Sequence, residues 1–113
     1  MTPCKRGQVV LTPFPFTDKK GAKARPAVVI STDEYNRAST DVVLAPITSQ
    51  LAVRRLPGDY RLRRWTEAGL NVPSLVRARV TTVHAKWVTR TIGVMPPEEM
   101  IAINKNLRTA LGL

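Results

Sequence analysis

Two short stretches of this 113-residue chain carry side chains able to act together on a phosphate. Arg25-Pro26-Ala27-Val28-Val29-Ile30-Ser31 sets a guanidinium just before an apolar, β-branched run. It is entered through the basic loop Asp18-Lys19-Lys20-Gly21-Ala22-Lys23. Val42-Val43-Leu44-Ala45-Pro46-Ile47-Thr48-Ser49-Gln50 ends a second such run with two hydroxyls and an amide. A guanidinium keeps its charge at neutral pH and grips phosphate oxygens with a fixed fork of donors, which also makes it a poor base. A threonine hydroxyl can donate to a phosphate oxygen or position it, but without an adjacent base it is a weak nucleophile. Arg25 as electrostatic stabiliser and Thr48 as donor are the candidate catalytic pair. Ser49 and Gln50 are candidate support. His84 is the sole imidazole, so a paired-histidine mechanism is impossible within one chain, while a single acid or base there is a further candidate.

The bulk composition narrows what such a pair can act on. Eighteen Lys and Arg against eight Asp and Glu give a formal charge of +10, a field that attracts nucleic acid or an anionic membrane surface. No apolar run approaches the length of a spanning helix, and residues 1–7 lack the apolar core of a signal peptide. Cys4 is the one cysteine, which excludes a disulfide framework and fits a cytoplasmic protein. The chain has no Gly-rich phosphate loop and no His/Cys metal spacing. Its scattered acids form no close cluster, which argues against a two-metal nuclease. No cofactor or metal is expected.

The elements that must hold the pair can be read from pattern. Residues 8–16 form a strand whose far end is weakened by Pro13 and Pro15. Residues 17–24 are a polar loop. Residues 27–31 are a buried strand with Pro26 at its first position, where a missing N–H costs least. Ser31 or Thr32 caps a short helical turn through Asn36. Residues 41–47 are a third strand. Residues 51–64 turn at Pro57-Gly58 with a strand on one or both sides. Residues 65–70 read as a short helix ending at Gly69. Residues 74–83 read as one strand, with Leu75 and Arg77 on one face and Val76 and Ala78 on the other. Residues 84–95 read as a further, bent strand. Pro96-Pro97-Glu98-Glu99 then opens a helix, with proline in the first turn and acids at the positive end of its dipole. Met100, Ile103, Leu107 and Leu111 make its apolar face and Gly112 its stop. The expected fold is mainly β with a C-terminal helix, a small antiparallel barrel in a single domain spanning residues 1–113.

These blocks, in this order, resemble the MazF/PemK family of toxins from type II toxin–antitoxin systems. Gly7-Gln8-Val9-Val10-Leu11 with Phe14 is similar to the family's opening strand. The Arg25-to-Ser31 block is the most specific match. Pro46-Ile47-Thr48-Ser49 resembles the third-strand ending, Val76-Arg77 and Thr81-Thr82-Val83 the later strand pair, and the Pro97 helix the last element. The resemblance implies an SH3-like barrel, shared with CcdB-type toxins, and a homodimer. It implies metal-independent cleavage of single-stranded RNA, with a cognate antitoxin that blocks the RNA groove. It gives Arg25 a central catalytic role and Thr48 a supporting one.

On that reading the 2′-hydroxyl attacks its own phosphate, which needs a base, an acid and donors for the charged phosphorane. Lys19, Lys20, Lys23, Arg54, Arg55, Arg61, Arg63 and Arg64 are expected to track the RNA backbone, and Arg77 and Arg79 to add phosphate contacts. Phe16 and Trp65 are core or interface residues first and base-stacking surfaces second. Some relatives carry an acid two positions after the arginine aligned with Arg77, where this chain has Arg79. Others carry one before the catalytic arginine, where it has Lys23 and Ala24. A carboxylate base at either place is therefore unavailable. Two other readings stand beside the endoribonuclease: an SH3-like module that binds RNA without cutting it, and a CcdB-like toxin that poisons gyrase.

Overall fold

The computed structural model describes residues 4–14 and 23–113. The elements run β1 (Gln8–Pro13), β2 (Ala24–Val29), α1 (Asp33–Ala38), β3 (Asp41–Thr48), β4 (Tyr60–Arg61), β5 (Leu75–Val76), β6 (Thr81–His84), a 3₁₀ turn (Ala85–Trp87), β7 (Arg90–Val94) and α2 (Pro97–Leu111). All the ladders are antiparallel. The sheet runs β4-β5-β3-β2-β1-β7, with β6 also on β3. It is open: β4 and β7 lie at its two ends. The expected architecture, mainly antiparallel β with a C-terminal helix, is the one observed.

The β1, β2 and β3 runs are apolar without alternation because the sheet they form is covered on both faces. Val9, Val28, Ala45 and Ile47 join one core with Met95, Ile103 and Leu107. Val10, Ala27, Val29, Val42 and Leu44 join a second core with Phe14 and Val83. Successive residues of one strand thus feed opposite cores, as a two-residue period dictates.

Several expected boundaries shift. The strand expected over 74–83 is two strands, β5 on the far half of β3 and β6 on its near half. The break falls at Arg77–Arg79, where Asp59 draws the chain out of the sheet: its Oδ1 accepts from the Ala78 amide at 2.9 Å. Leu75 and Val76 are both buried, so the alternation read there does not divide core from solvent. The helix expected at 65–70 is a single turn, closed by Leu70 N–H donating to Trp65 O at 3.1 Å, with Gly69 at φ +89 as its left-handed exit. The strand expected at 84–95 is interrupted by the 3₁₀ turn. In α2, Ile103 and Leu107 are buried while Leu111 is exposed, so the apolar face stops one turn early. Gly112 ends the helix at φ +72, as read.

Two contacts seat the segment between β4 and β5. The first is backbone on backbone. A Cβ at Gly69 would lie 2.2 Å from Ile92 O, and one at Gly93 would lie 2.2 Å from Ala68 O. Only two glycines let the 65–69 turn cross β7 this closely. The second is Glu99. Its side chain is buried, yet it is the acceptor for the Tyr60 hydroxyl and for the backbone N–H groups of Arg63 (2.7 Å) and Arg64 (3.0 Å). Its neighbour Glu98 stays outside and pairs with Arg64 at 2.6 Å.

Glu99→Ala leaves three donors without their acceptor. Each such group costs about 1–3 kcal/mol when it stays dry, so the expected loss is about 3 kcal/mol in urea unfolding, against less than about 0.5 kcal/mol for an ordinary surface change. Burial, and then the hydrogen bond to Glu99, push the Tyr60 phenol up from 10.0 to about 12. The folded state therefore holds this proton more tightly than the unfolded chain does. That contribution is complete below pH 10 and is lost as pH rises towards 12. Stability should fall over this window more steeply in the wild type than in Tyr60→Phe, as denaturant midpoints at several alkaline pH values will read.

Candidate functional site

The register between β2 and β3 pairs Ala27 with Pro46. The ladder ends there, and Arg25 and Thr48 lie two residues beyond that pair on their two strands. Both residues, with Gln50, line the two adjoining clefts at this end of the sheet, of about 450 and 290 Å³. Arg25 is exposed, and among the described residues it pairs with no carboxylate. The Thr48 side chain is held in an ST turn, its Oγ1 accepting from Gln50 N–H at 3.1 Å. With that oxygen engaged, its O–H remains to donate into the cleft. Ser49 lines the larger cleft beside it.

The far wall of the larger cleft is the segment seated by the glycine crossing: Gly69, Leu70, Asn71 and Val72, with Ile92 behind. Arg90 on β7 completes it. Sequence reasoning passed over Arg90, because one arginine in an irregular strand carries no local signal. It is visible only through the β1 ladders, which pair Leu11 with Pro26 on one side and with Arg90 on the other. Among the described residues, neither cleft is lined by a carboxylate or an imidazole. The site is a set of donors around an empty space.

The structure does not bring His84 to this set. His84 pairs with Asp41, at the opposite end of β3 from Thr48, which at about 3.3 Å per residue is about 23 Å away. Its Nδ1 accepts from Lys86 N–H at 3.1 Å and so caps the 3₁₀ turn. As support for chemistry at Arg25 within one chain, His84 is too far.

The expected backbone-tracking cations divide. Lys23, Arg54, Arg55, Arg61, Arg63 and Arg79 are exposed, and Arg79 lines the smaller cleft. Lys19, Lys20 and Phe16 lie outside the described residues. Arg64 is exposed but held between Glu67 and Glu98, and these two hydrogen bonds raise its already high pKa. The Glu98 carboxyl is lowered, first by its own backbone N–H and then by Arg64. Arg77 faces the smaller cleft but is mostly buried. Its Nε lies 3.0 Å from Asp59 Oδ2 without hydrogen-bond alignment, and its Nη2 donates to Arg54 O at 3.3 Å. Asp59 Oδ2 also accepts from Leu56 N–H at 2.9 Å. Arg77 is thus a tie for the 54–59 turn as well as a charge at the cleft. Trp65 packs against the first core.

The chain has known relatives in sequence and in fold. A family described as PemK-like, MazF-like toxin of type II toxin–antitoxin system matches residues 5–111. Endoribonuclease MazF2 of Mycobacterium bovis is 30% identical over 105 residues, covering 88% of each chain. A mycobacterial endoribonuclease solved with its cognate antitoxin superposes with a TM-score of 0.76 at 26% identity, over 97% of this chain and 96% of that one. MazF from Deinococcus radiodurans superposes equally well, at 0.76 over 98% of each chain, but at 22% identity it speaks to the fold alone.

Removing one partner of a buried ion pair typically costs about 3–5 kcal/mol. Asp59→Ala should approach that cost, because Arg77, Leu56 N–H and Ala78 N–H all lose their acceptor. Thermal and urea unfolding of Asp59→Ala beside Arg63→Ala, an exposed control, will test it. Equal stability of the two variants contradicts the tie.

Proposed function

We propose that this chain, which belongs to the PemK-like, MazF-like family of type II toxin–antitoxin toxins, is an endoribonuclease that cleaves single-stranded RNA and is neutralised by a cognate antitoxin. It acts in the cytoplasm as a homodimer. The observation that carries the reading is the meeting of Arg25 and Thr48 in one cleft. A module that only bound RNA would need the surface charge but not this convergence of preorganised donors.

The chemistry follows from what those donors can do. The 2′-hydroxyl of the nucleotide in the cleft attacks its own phosphorus, and the bond to the 5′ oxygen breaks. This leaves a 2′,3′-cyclic phosphate and a 5′-hydroxyl, and DNA lacks the attacking group. Arg25 offers two parallel N–H donors to the phosphorane oxygens as negative charge gathers on them. The Thr48 hydroxyl donates to the same group and fixes its orientation. The departing 5′ oxygen takes up a proton from solvent, which balances the proton lost from the 2′-hydroxyl. The 2′ proton passes to solvent, since Arg79, Lys23 and Ala24 stand where relatives bring acids. The reaction needs no metal in this account, because the guanidinium supplies the charge a cation otherwise would.

The test is incubation with single-stranded RNA in EDTA. Cleavage with 5′-hydroxyl ends is expected, and the matched DNA should survive. Arg25→Ala should lower the single-turnover rate at least about hundredfold, the scale of deleting one transition-state donor, with its circular dichroism unchanged. RNA bound but left intact argues for a binding module, and near-normal turnover by the variant removes Arg25 from the chemistry.

A further inference from the structure

A second cleft of about 510 Å³ opens beside the 3₁₀ turn. Arg37 of α1, Lys86 of the turn and Arg90 of β7 line it, with hydroxyl and amide side chains between them such as Ser39, Thr40 and Asn36. No carboxylate is among its lining residues. Asp41 is paired across the ladder with His84, a lining residue, and Glu34 lies one turn before Arg37 on α1. Arg90 belongs to both this cleft and the one that holds Arg25 and Thr48. It can do so because β7 is the end strand of the open sheet, so a long side chain there reaches the openings on either side. Two strand spacings separate Arg90 from Pro26 through Leu11, about 10 Å of sheet.

We propose that RNA leaving the Arg25–Thr48 cleft passes around the β7 edge of the sheet, over Arg90, and into this second cleft, where Lys86 and Arg37 hold its phosphates. The inference rests on the endoribonuclease reading and extends it with a strand path. Cations in series with hydroxyl and amide donors, and no carboxylate between them, form the electrostatic funnel that a single-stranded backbone follows. Trp87, 44% exposed and carried on the same turn as Lys86, offers a flat face for a base along the way. An acidic protein segment would use the same charges. The continuity through Arg90 into the cleft of the proposed catalytic pair favours RNA.

The path predicts a dependence on length. Binding of 2′-O-methyl RNA, which lacks the nucleophile, is measured for oligonucleotides of about four and about twelve nucleotides, bracketing common site sizes for single strands. In the wild type the longer one should bind more tightly. Arg90→Gln with Lys86→Gln should cut that advantage at least about fivefold and reduce the salt slope of the longer oligonucleotide by about 1.4, for two phosphate contacts. Arg108→Gln, an exposed arginine on α2, controls for net charge and should change neither. An unchanged length advantage and slope in the double variant overturn the path while wild-type cleavage still stands. Loss of affinity for a polyglutamate peptide without loss of the length advantage assigns the cleft to a protein and overturns the path. A wild-type chain that neither cuts nor binds RNA defeats the parent reading and the path with it.

Discussion

Residues 68–69 and 92–93 meet at a distance that admits no Cβ at Gly69 or at Gly93. Much else depends on that contact. It brings the 65–69 turn against β7, and the turn carries Leu70, Asn71 and Val72 to the wall opposite Arg25 and Thr48. Glu99 then holds the preceding residues from the other side through two backbone amides and the Tyr60 hydroxyl. The cleft is therefore bounded on one side by regular strands and on the other by a segment with almost no regular structure. That segment is kept in place by steric fit and one buried carboxylate. A loop seated this way gives a fixed wall without the backbone hydrogen bonds of a ladder.

Electrostatics explains how the arginines of so basic a chain are used. Two of the expected RNA contacts also serve the fold: Arg64 lies between Glu67 and Glu98, and Arg77 is tied to Asp59. Three of the eight acids, Glu67, Glu98 and Asp59, go to these two arginines, and of the two only Arg77 is mostly buried and needs its anion for that reason. Arg25 is left exposed, facing a cleft lined only by neutral and cationic groups among the described residues. In such surroundings a phosphate would supply the counter-charge that Arg25 lacks among the described residues.

The cores of β2 and β3 were legible because a continuous β-branched run has few other outcomes, but β2 begins at Ala24 and so takes in Arg25 and Pro26, which the pattern placed before the strand and at its start. The helix at Pro97 was legible from its proline, its acids and its apolar spacing. The middle of the chain was not. At residues 65–70 helix propensity lost to the crossing with β7, a tertiary contact between residues about 24 positions apart in sequence. At 74–83 the alternation misled, since Leu75 and Val76 are both buried, and Asp59 captured the Ala78 amide where the strand breaks. Glu99 was read as an acid at the positive end of the helix dipole, since sequence pattern cannot tell a dipole partner from a buried acceptor. His84 was marked by its chemistry alone, and its place in the ladder decides against a shared site with Arg25.

Chain order has a consequence for when activity can arise. Gly93 and Glu99, the two residues that seat the cleft wall, both follow the Arg25 and Thr48 strands and the wall itself in sequence. During vectorial synthesis β1, β2 and β3 can pair while the 60–72 segment still lacks its supports. A nascent or truncated polypeptide that ends before the last helix holds Arg25 and Thr48 on an unfinished scaffold. If Arg25 and Thr48 carry the proposed chemistry, cleavage is expected only once nearly the whole chain has been made, because the cleft wall gains its last support at Glu99.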